Sequence, residues 1–183
     1  MKCKFIMRTV GNVDLSEYKE AIPHLIIVKD KTLNAYDTFQ MALEQGYGKG
    51  AVHLEDDIIL CKDFYTKITK IINEHSNDVI QFFSMRKDDL TIGTRYISGS
   101  KFLMGQCFYI PKSISKSLYI YSYNWERRKE HPTGLDTMIS DFLKLNKISY
   151  LNIVPNLVNH KCLKSRIDSR RSTKRQSLTF KEE

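Results

Sequence analysis

The sequence predicts a single α/β domain in which a mostly parallel sheet carries helices on both faces. Three observations support this. Apolar runs such as Pro23-His24-Leu25-Ile26-Ile27-Val28 and Ala51-Val52-His53-Leu54 are continuous rather than alternating, as in strands covered on both sides. Helical periods alternate with these runs through the first half of the chain, the pattern of parallel strands joined by crossover helices. The acidic triplet Glu55-Asp56-Asp57 stands where one of the runs ends, and open α/β sheets bind their ligands beyond such ends.

Taken in order, Lys4-Phe5-Ile6-Met7 reads as the first strand and Pro23 to Val28 as the second, followed by Lys29-Asp30. From Asn34 to Gln45 the period changes: Tyr36, Phe39, Gln40 and Leu43 share one helical face, and Gly46 stops the helix. Ala51 to Leu54 is the third strand. Asp63 stands as an N-cap before a helix whose stripe is Phe64, Ile68, Ile71 and Ile72, ending near His75. Val79 to Phe83 is a fourth strand, and the polar stretch from Met85 to Gly99 reads as a loop or weak hairpin. Phe102 to Ile110 reads as a strand closed by Pro111, which opens a short helix through Leu118. Tyr121 to Trp125 has no clear period. Thr133 to Lys147 forms a helix with Leu135, Met138, Ile139 and Phe142 inward, and Ile148 to Val154 is the last strand, closed by Pro155.

The 183 residues suit one domain with a real core. Hydrophobic (42%) and charged (27%) fractions are those of a globular protein, and no apolar run approaches the ~20 residues that span a bilayer. The apolar part of the N-terminus is too short for a signal peptide, so a cytoplasmic location is expected. Cys3, Cys61, Cys107 and Cys162 match neither a zinc-knuckle nor a disulfide spacing and read as buried thiols. The net charge of +8 is uneven: from Lys161 onward eight basic residues face three acids. Such an end either serves an anionic partner (nucleic acid, an acidic surface or a nucleotide diphosphate) or is solvated and partly disordered.

Three adjoining carboxylates between Ala51–Leu54 and Ile58–Leu60 are costly to bury without a countercharge. A divalent ion with oxygen ligands, Mg²⁺ or Mn²⁺, is the simplest candidate, and a solvated strand-end turn is the bland alternative.

The stretch Val52-His53-Leu54-Glu55-Asp56-Asp57-Ile58-Ile59-Leu60, followed by Asp63-Phe64, resembles the "LEDD" version of the DXD motif of GT-A fold glycosyltransferases, as in N-acetylglucosaminyltransferase-like and lipopolysaccharide-type members. Val154-Pro155-Asn156-Leu157-Val158-Asn159-His160, with Ser165 five residues on, resembles the Pro-x-Leu-Val-x-His segment that closes their catalytic core. Gly105 to Pro111 followed by Asp136 is a looser match to the acceptor-side strand and the helix carrying the catalytic carboxylate.

The resemblance implies a GT-A-like, Rossmann-like catalytic domain over residues 1–165 and a basic tail over 166–183. It implies transfer of a hexose or N-acetylhexosamine from a nucleotide diphosphate donor, UDP-type favoured, to a hydroxyl acceptor, with inversion and with Mn²⁺ or Mg²⁺. Asp57 would be the direct metal ligand and His160 would approach the metal or the diphosphate. Glu55 and Asp56 would contact the sugar and ribose, and Arg8 and Asp30 the nucleotide base and ribose. Asp136 would be the general base, with Asp141 in reserve.

Other readings stand beside these. Thr133 and Asp136 have capping-box spacing, so Asp136 also suits a helix start. His160 alone would be structural, Arg8 would pair with a nearby acid, and His53, mid-strand, is structural. Tyr119, Tyr121, Tyr123 and Trp125 either stack on a sugar or base or pack the core. A nucleic-acid-binding protein or metal-dependent nuclease would use the triplet for metals and the basic end for phosphates. A non-catalytic interaction module, or a transferase acting on nucleic-acid bases, would also use these features. The acceptor is then a saccharide or a modified nucleic acid.

Overall fold

The computed structural model describes residues 3–131, 134–164 and 173–183. Among the described residues, fifteen strands and α-helices follow in chain order: β1 (Lys4–Val10), α1 (Ser16–Ala21), β2 (Ile26–Asp30), α2 (Ala35–Gln45), β3 (Ala51–Glu55), β4 (Ile58–Leu60), α3 (Phe64–Glu74), β5 (Val79–Gln81), α4 (Asp89–Ile92), β6 (Arg95–Ser98), β7 (Cys107–Ile110), α5 (Lys112–Asn124), α6 (Leu135–Leu145), β8 (Ser149–Asn152) and β9 (Val158–His160). Seven strands form one sheet in the order β2-β1-β3-β7-β5-β8-β6. β1 runs parallel to β2 and β3, and β5 parallel to β8, whereas β7 opposes β3 and β5, and β6 opposes β8. The remaining two strands, β4 and β9, pair antiparallel in a small separate ladder.

Strand alternation sorts the core into two layers. Phe5, Met7, Val52 and Leu54 point to the face covered by α1 and α3, where Tyr18, Ile22, Phe64, Ile68 and Ile72 are buried. The opposite face carries Tyr36, Phe39 and Leu43 of α2 with Leu118 of α5 and Met138, Ile139 and Phe142 of α6. Helices thus flank both sides of a mostly parallel sheet, as the continuous apolar runs predict.

Several boundaries differ from the sequence reading. Pro23 and His24 form a turn and β2 starts at Ile26, because His24 takes a positive φ of 59° that a strand cannot hold. Asp63 does stand at the N-cap of α3, but in the left-handed region and without a side-chain capping bond. The stretch read as a loop or weak hairpin contains α4 and edge strand β6, which is fixed from outside by pairing with β8. The helix after Pro111 runs past Leu118 to Asn124 and absorbs the aromatic segment: Trp125 stacks on Tyr36 and Tyr121 packs on Phe142. Trp125 and Tyr121 thus pack inward, whereas Tyr123 is exposed. Thr133, half of the expected capping box, and Ser165 lie outside the described residues, as do residues 166–172 of the basic end. Its described part, 173–183, packs back onto the domain. Ser177 and Thr179 hydrogen-bond Asn156, the Lys62 amide donates to the Glu182 carbonyl, and Phe180 lies against the α1/α3 core.

No helix among the described residues is long and apolar enough to cross a membrane.

Candidate functional site

The C-terminal ends of β1, β2 and β3 lie side by side, and the register decides which side chains meet there. Arg8 is the cross-strand partner of Glu55, and Val10 that of Asp30. Arg8 and Glu55 sit on the α2 side of their strands, so Arg8 Nη2 reaches Glu55 Oε1 at 3.4 Å. The same nitrogen donates to the Gly105 carbonyl at 2.8 Å, and the guanidinium lies over the Phe39 ring. Buried and held three ways, Arg8 acts as a brace that orients Glu55.

Asp56 turns to the other side, as alternation requires. Its Oδ2 accepts from Thr9 Oγ1 at 2.7 Å and from the Val10 amide at 3.1 Å. One carboxylate oxygen of this expected ribose contact therefore ties the acidic turn to β1. The turn's backbone is held as well. The Tyr18 hydroxyl of α1 donates to the Asp56 and Ile58 carbonyls, and the Lys161 amide donates to the Asp57 carbonyl at 2.7 Å. Neither Tyr18 nor α1 was expected. The spacing of Leu15, Tyr18 and Ile22 was the available signal, but six residues give too short a period to stand out.

Asp30 closes the turn into α2. Its Oδ1 accepts from the Thr32 and Asn34 amides, at 2.9 and 3.3 Å, while Oδ2 is buried without a hydrogen-bond partner. Asn34 caps α2 by accepting from the Tyr36 and Asp37 amides.

Asp57 meets His160 because β4 pairs with β9, which sets Ile58 opposite His160. His160 Nε2 lies 2.9 Å from Asp57 Oδ2, although not well aligned as a hydrogen bond. Arg175 Nη2 stands 4.0 Å from the same oxygen. Burial pushes the Asp57 carboxyl up, but the His160 contact and the Arg175 charge together outweigh it and hold the carboxyl below its ordinary range.

The His160 ring meets a neighbour at each of its nitrogens. Its Nδ1 accepts the Cys162 amide at 2.8 Å, so the proton of a neutral ring belongs on Nε2, the nitrogen facing Asp57. A ligating Nε2 would need the reverse arrangement, with Nδ1 donating. In this arrangement His160 Nε2 faces Asp57 Oδ2. Asp57 Oδ1 is a different case: it is buried with no hydrogen-bond partner. Among the described residues no group of three or more His, Cys, Asp or Glu side chains is arranged to hold a metal. One carboxylate oxygen is a poor site for a resident ion. It does fit Mg²⁺ or Mn²⁺ arriving with phosphate oxygens, since these ions are commonly held by one or two carboxylates plus substrate.

One pocket collects these side chains. Its wall includes Arg8, Thr9, Asp30, Thr38, Glu55, Asp56 and Asp57, and Leu163, Lys164 and Arg175 close it from the C-terminal side. Asp136 is not among the lining side chains; it is half-buried in the first turn of α6, with Oδ2 accepting the Met104 amide at 2.9 Å. Asp141, the reserve base, is occupied by Trp125 Nε1 and Arg127. His53 is buried between Phe39 and Phe108 and belongs to the core.

The sheet order and the flanking helices are those of a GT-A-like α/β domain. Among solved structures, the chain is similar to S. aureus TarS 1–349 in complex with UDP, at 14% identity and a TM-score of 0.50, over 83% of this chain and 61% of that one. It is also similar to S. aureus TarS, at 13% identity and a TM-score of 0.51, over 82% of this chain and 36% of that one. The chain thus spans less than two thirds of the length of these structures, and the likeness at this identity is one of fold. No protein-family profile and no curated protein sequence matches the chain.

Proposed function

We propose that this chain is a glycosyltransferase that takes a nucleotide diphosphate sugar into the pocket above β1, β2 and β3 and passes the sugar to a hydroxyl acceptor. The observation that carries this reading is the convergence of Arg8, Asp30, Glu55 and Asp57 at adjoining strand ends in one pocket. A GT-A-like fold shared with a UDP-bound structure supports it.

In this reading the unpartnered Asp30 Oδ2 accepts a ribose hydroxyl, and Glu55, steadied by Arg8, meets the sugar. Asp57 offers Oδ1 to a divalent ion that enters with the donor. When bound, that ion would neutralise charge on the departing diphosphate. Asp136 takes the acceptor proton, and a single base on that side corresponds to inversion. The sugar is a hexose or N-acetylhexosamine, and the acceptor a saccharide or a modified nucleic acid.

A thermal-shift screen of nucleoside diphosphates and their sugars, with and without Mn²⁺, tests the reading. A ligand that binds only the folded state raises the melting temperature. Stabilisation by one base family, larger with Mn²⁺, is the expected result; no shift with any of them would refute it.

A further inference from the structure

The C-terminal segment 173–183 is built into the pocket wall, and Arg175 is its contribution. The Arg175 side chain is only 10% exposed, and it lines the pocket beside Asp57. Its position is fixed by anchors in the residues that follow it. Ser177 Oγ donates to Asn156 Oδ1 at 2.7 Å and the Ser177 amide to Asn159 Oδ1 at 2.9 Å. Thr179 Oγ1 accepts the Asn156 amide at 3.2 Å, and Phe180, partly buried, packs against the core. Asn156 and Asn159 lead into β9 and lie on it, the strand that also delivers His160. The segment that carries Arg175 is thus tied to the strand that sets His160 beside Asp57.

A guanidinium this buried, beside a carboxylate expected to meet a metal-bound diphosphate, has a defined use. Its planar fork matches two phosphate oxygens and needs no proton balance to stay charged. Resting on the proposed donor reaction, we infer that Arg175 is a diphosphate-binding residue and that this docked segment completes the donor site. The protein then holds part of the diphosphate charge with its own side chain, so donor binding is only partly metal-dependent. Arg175 would contribute a fixed cation at the leaving group, where such a charge gains most.

Isothermal titration of the full chain with UDP, CDP, GDP, ADP and the matching nucleosides, in Mn²⁺ and in EDTA, tests this. Wild type should retain nucleoside diphosphate binding in EDTA. Arg175→Gln should weaken it by about 10-fold or more, the scale of a lost charged hydrogen bond, without changing nucleoside affinity. Arg175→Lys, which keeps the charge but not the fork, should fall between the two and separates a folding defect from a lost contact. Lys181→Gln, exposed on the same segment, should match wild type. Diphosphate affinity unchanged in both Arg175 variants would overturn the inference and leave the transferase reading intact. Wild type that binds no nucleoside diphosphate under either condition would overturn both.

Discussion

Arg8 donates to the Gly105 carbonyl at 2.8 Å, and the Asp136 carboxylate is so close to Gly105 that a Cβ there would sit 2.6 Å from Oδ1. One glycine therefore touches both Arg8 of the pocket and Asp136, the proposed base. The Leu135 side chain is also in the way, 3.0 Å from that Cβ. Gly105→Ala must displace Asp136 or the turn that receives Arg8. It should lower turnover by at least about 10-fold, destabilise by roughly 1–3 kcal/mol as overpacking does, and change donor affinity much less. Steady-state kinetics beside donor titration checks this; a parallel loss of affinity and turnover would place the fault in the donor pocket instead.

Asp57→Asn keeps the shape of the side chain and removes its charge. The gain in donor affinity on adding Mn²⁺ should disappear, and turnover should fall by about 100-fold or more, as when a positioned charge-stabilising group is lost. Metal titrations at fixed donor concentration read the first effect directly. An unaltered Mn²⁺ response would remove Asp57 from the metal site.

His53 sets a pH dependence of stability. Burial, with the nearby Arg8 charge, pulls its pKa from 6.5 down to about 3. The unfolded chain takes up this proton near pH 6.5 while the folded chain stays neutral. Stability from this group is therefore complete above pH 6.5 and is lost as the pH falls toward 3, by about 1.4 kcal/mol per unit well inside that window. His53→Leu should flatten the decline of urea midpoints between pH 6 and pH 4. A slope equal to that of wild type would show that other groups govern it.

Gly99 provides a control away from the pocket. A Cβ there would collide with the Ile148 carbonyl and the Leu143 side chain, part of the packing between α6 and the sheet. Gly99→Ala should cost roughly 1–3 kcal/mol by denaturant unfolding. Donor affinity, measured below the melting transition, should be unaffected.

Much of this molecule is legible along the chain. Continuous apolar runs mark β1 and β3, and the stripe Tyr36, Phe39 and Leu43 marks α2 because each of those side chains is buried against the sheet. The placement of Arg8, Asp30 and Glu55 at neighbouring strand ends follows from that alternation. What escapes notice is held by distant partners. β6 exists through β8, and β9 through β4, so three or four residues acquire a strand conformation that their own pattern does not announce. The same holds in the site. Asp56 looks like its neighbour Asp57, yet Thr9 and Val10 engage one and His160 the other. Nothing near Arg175 in sequence points to the pocket; Asn156 and Asn159 draw its segment there.

The most direct test of the central claim is an NMR titration of the full chain with its best nucleoside diphosphate, first with Mg²⁺ and then with trace Mn²⁺. Amide shifts should cluster at Arg8, Thr9, Val10 and the Asp30 turn, and Mn²⁺ broadening should be strongest around Asp57 and require the nucleotide. Shifts confined to another surface, or broadening centred away from Asp57, would contradict the account.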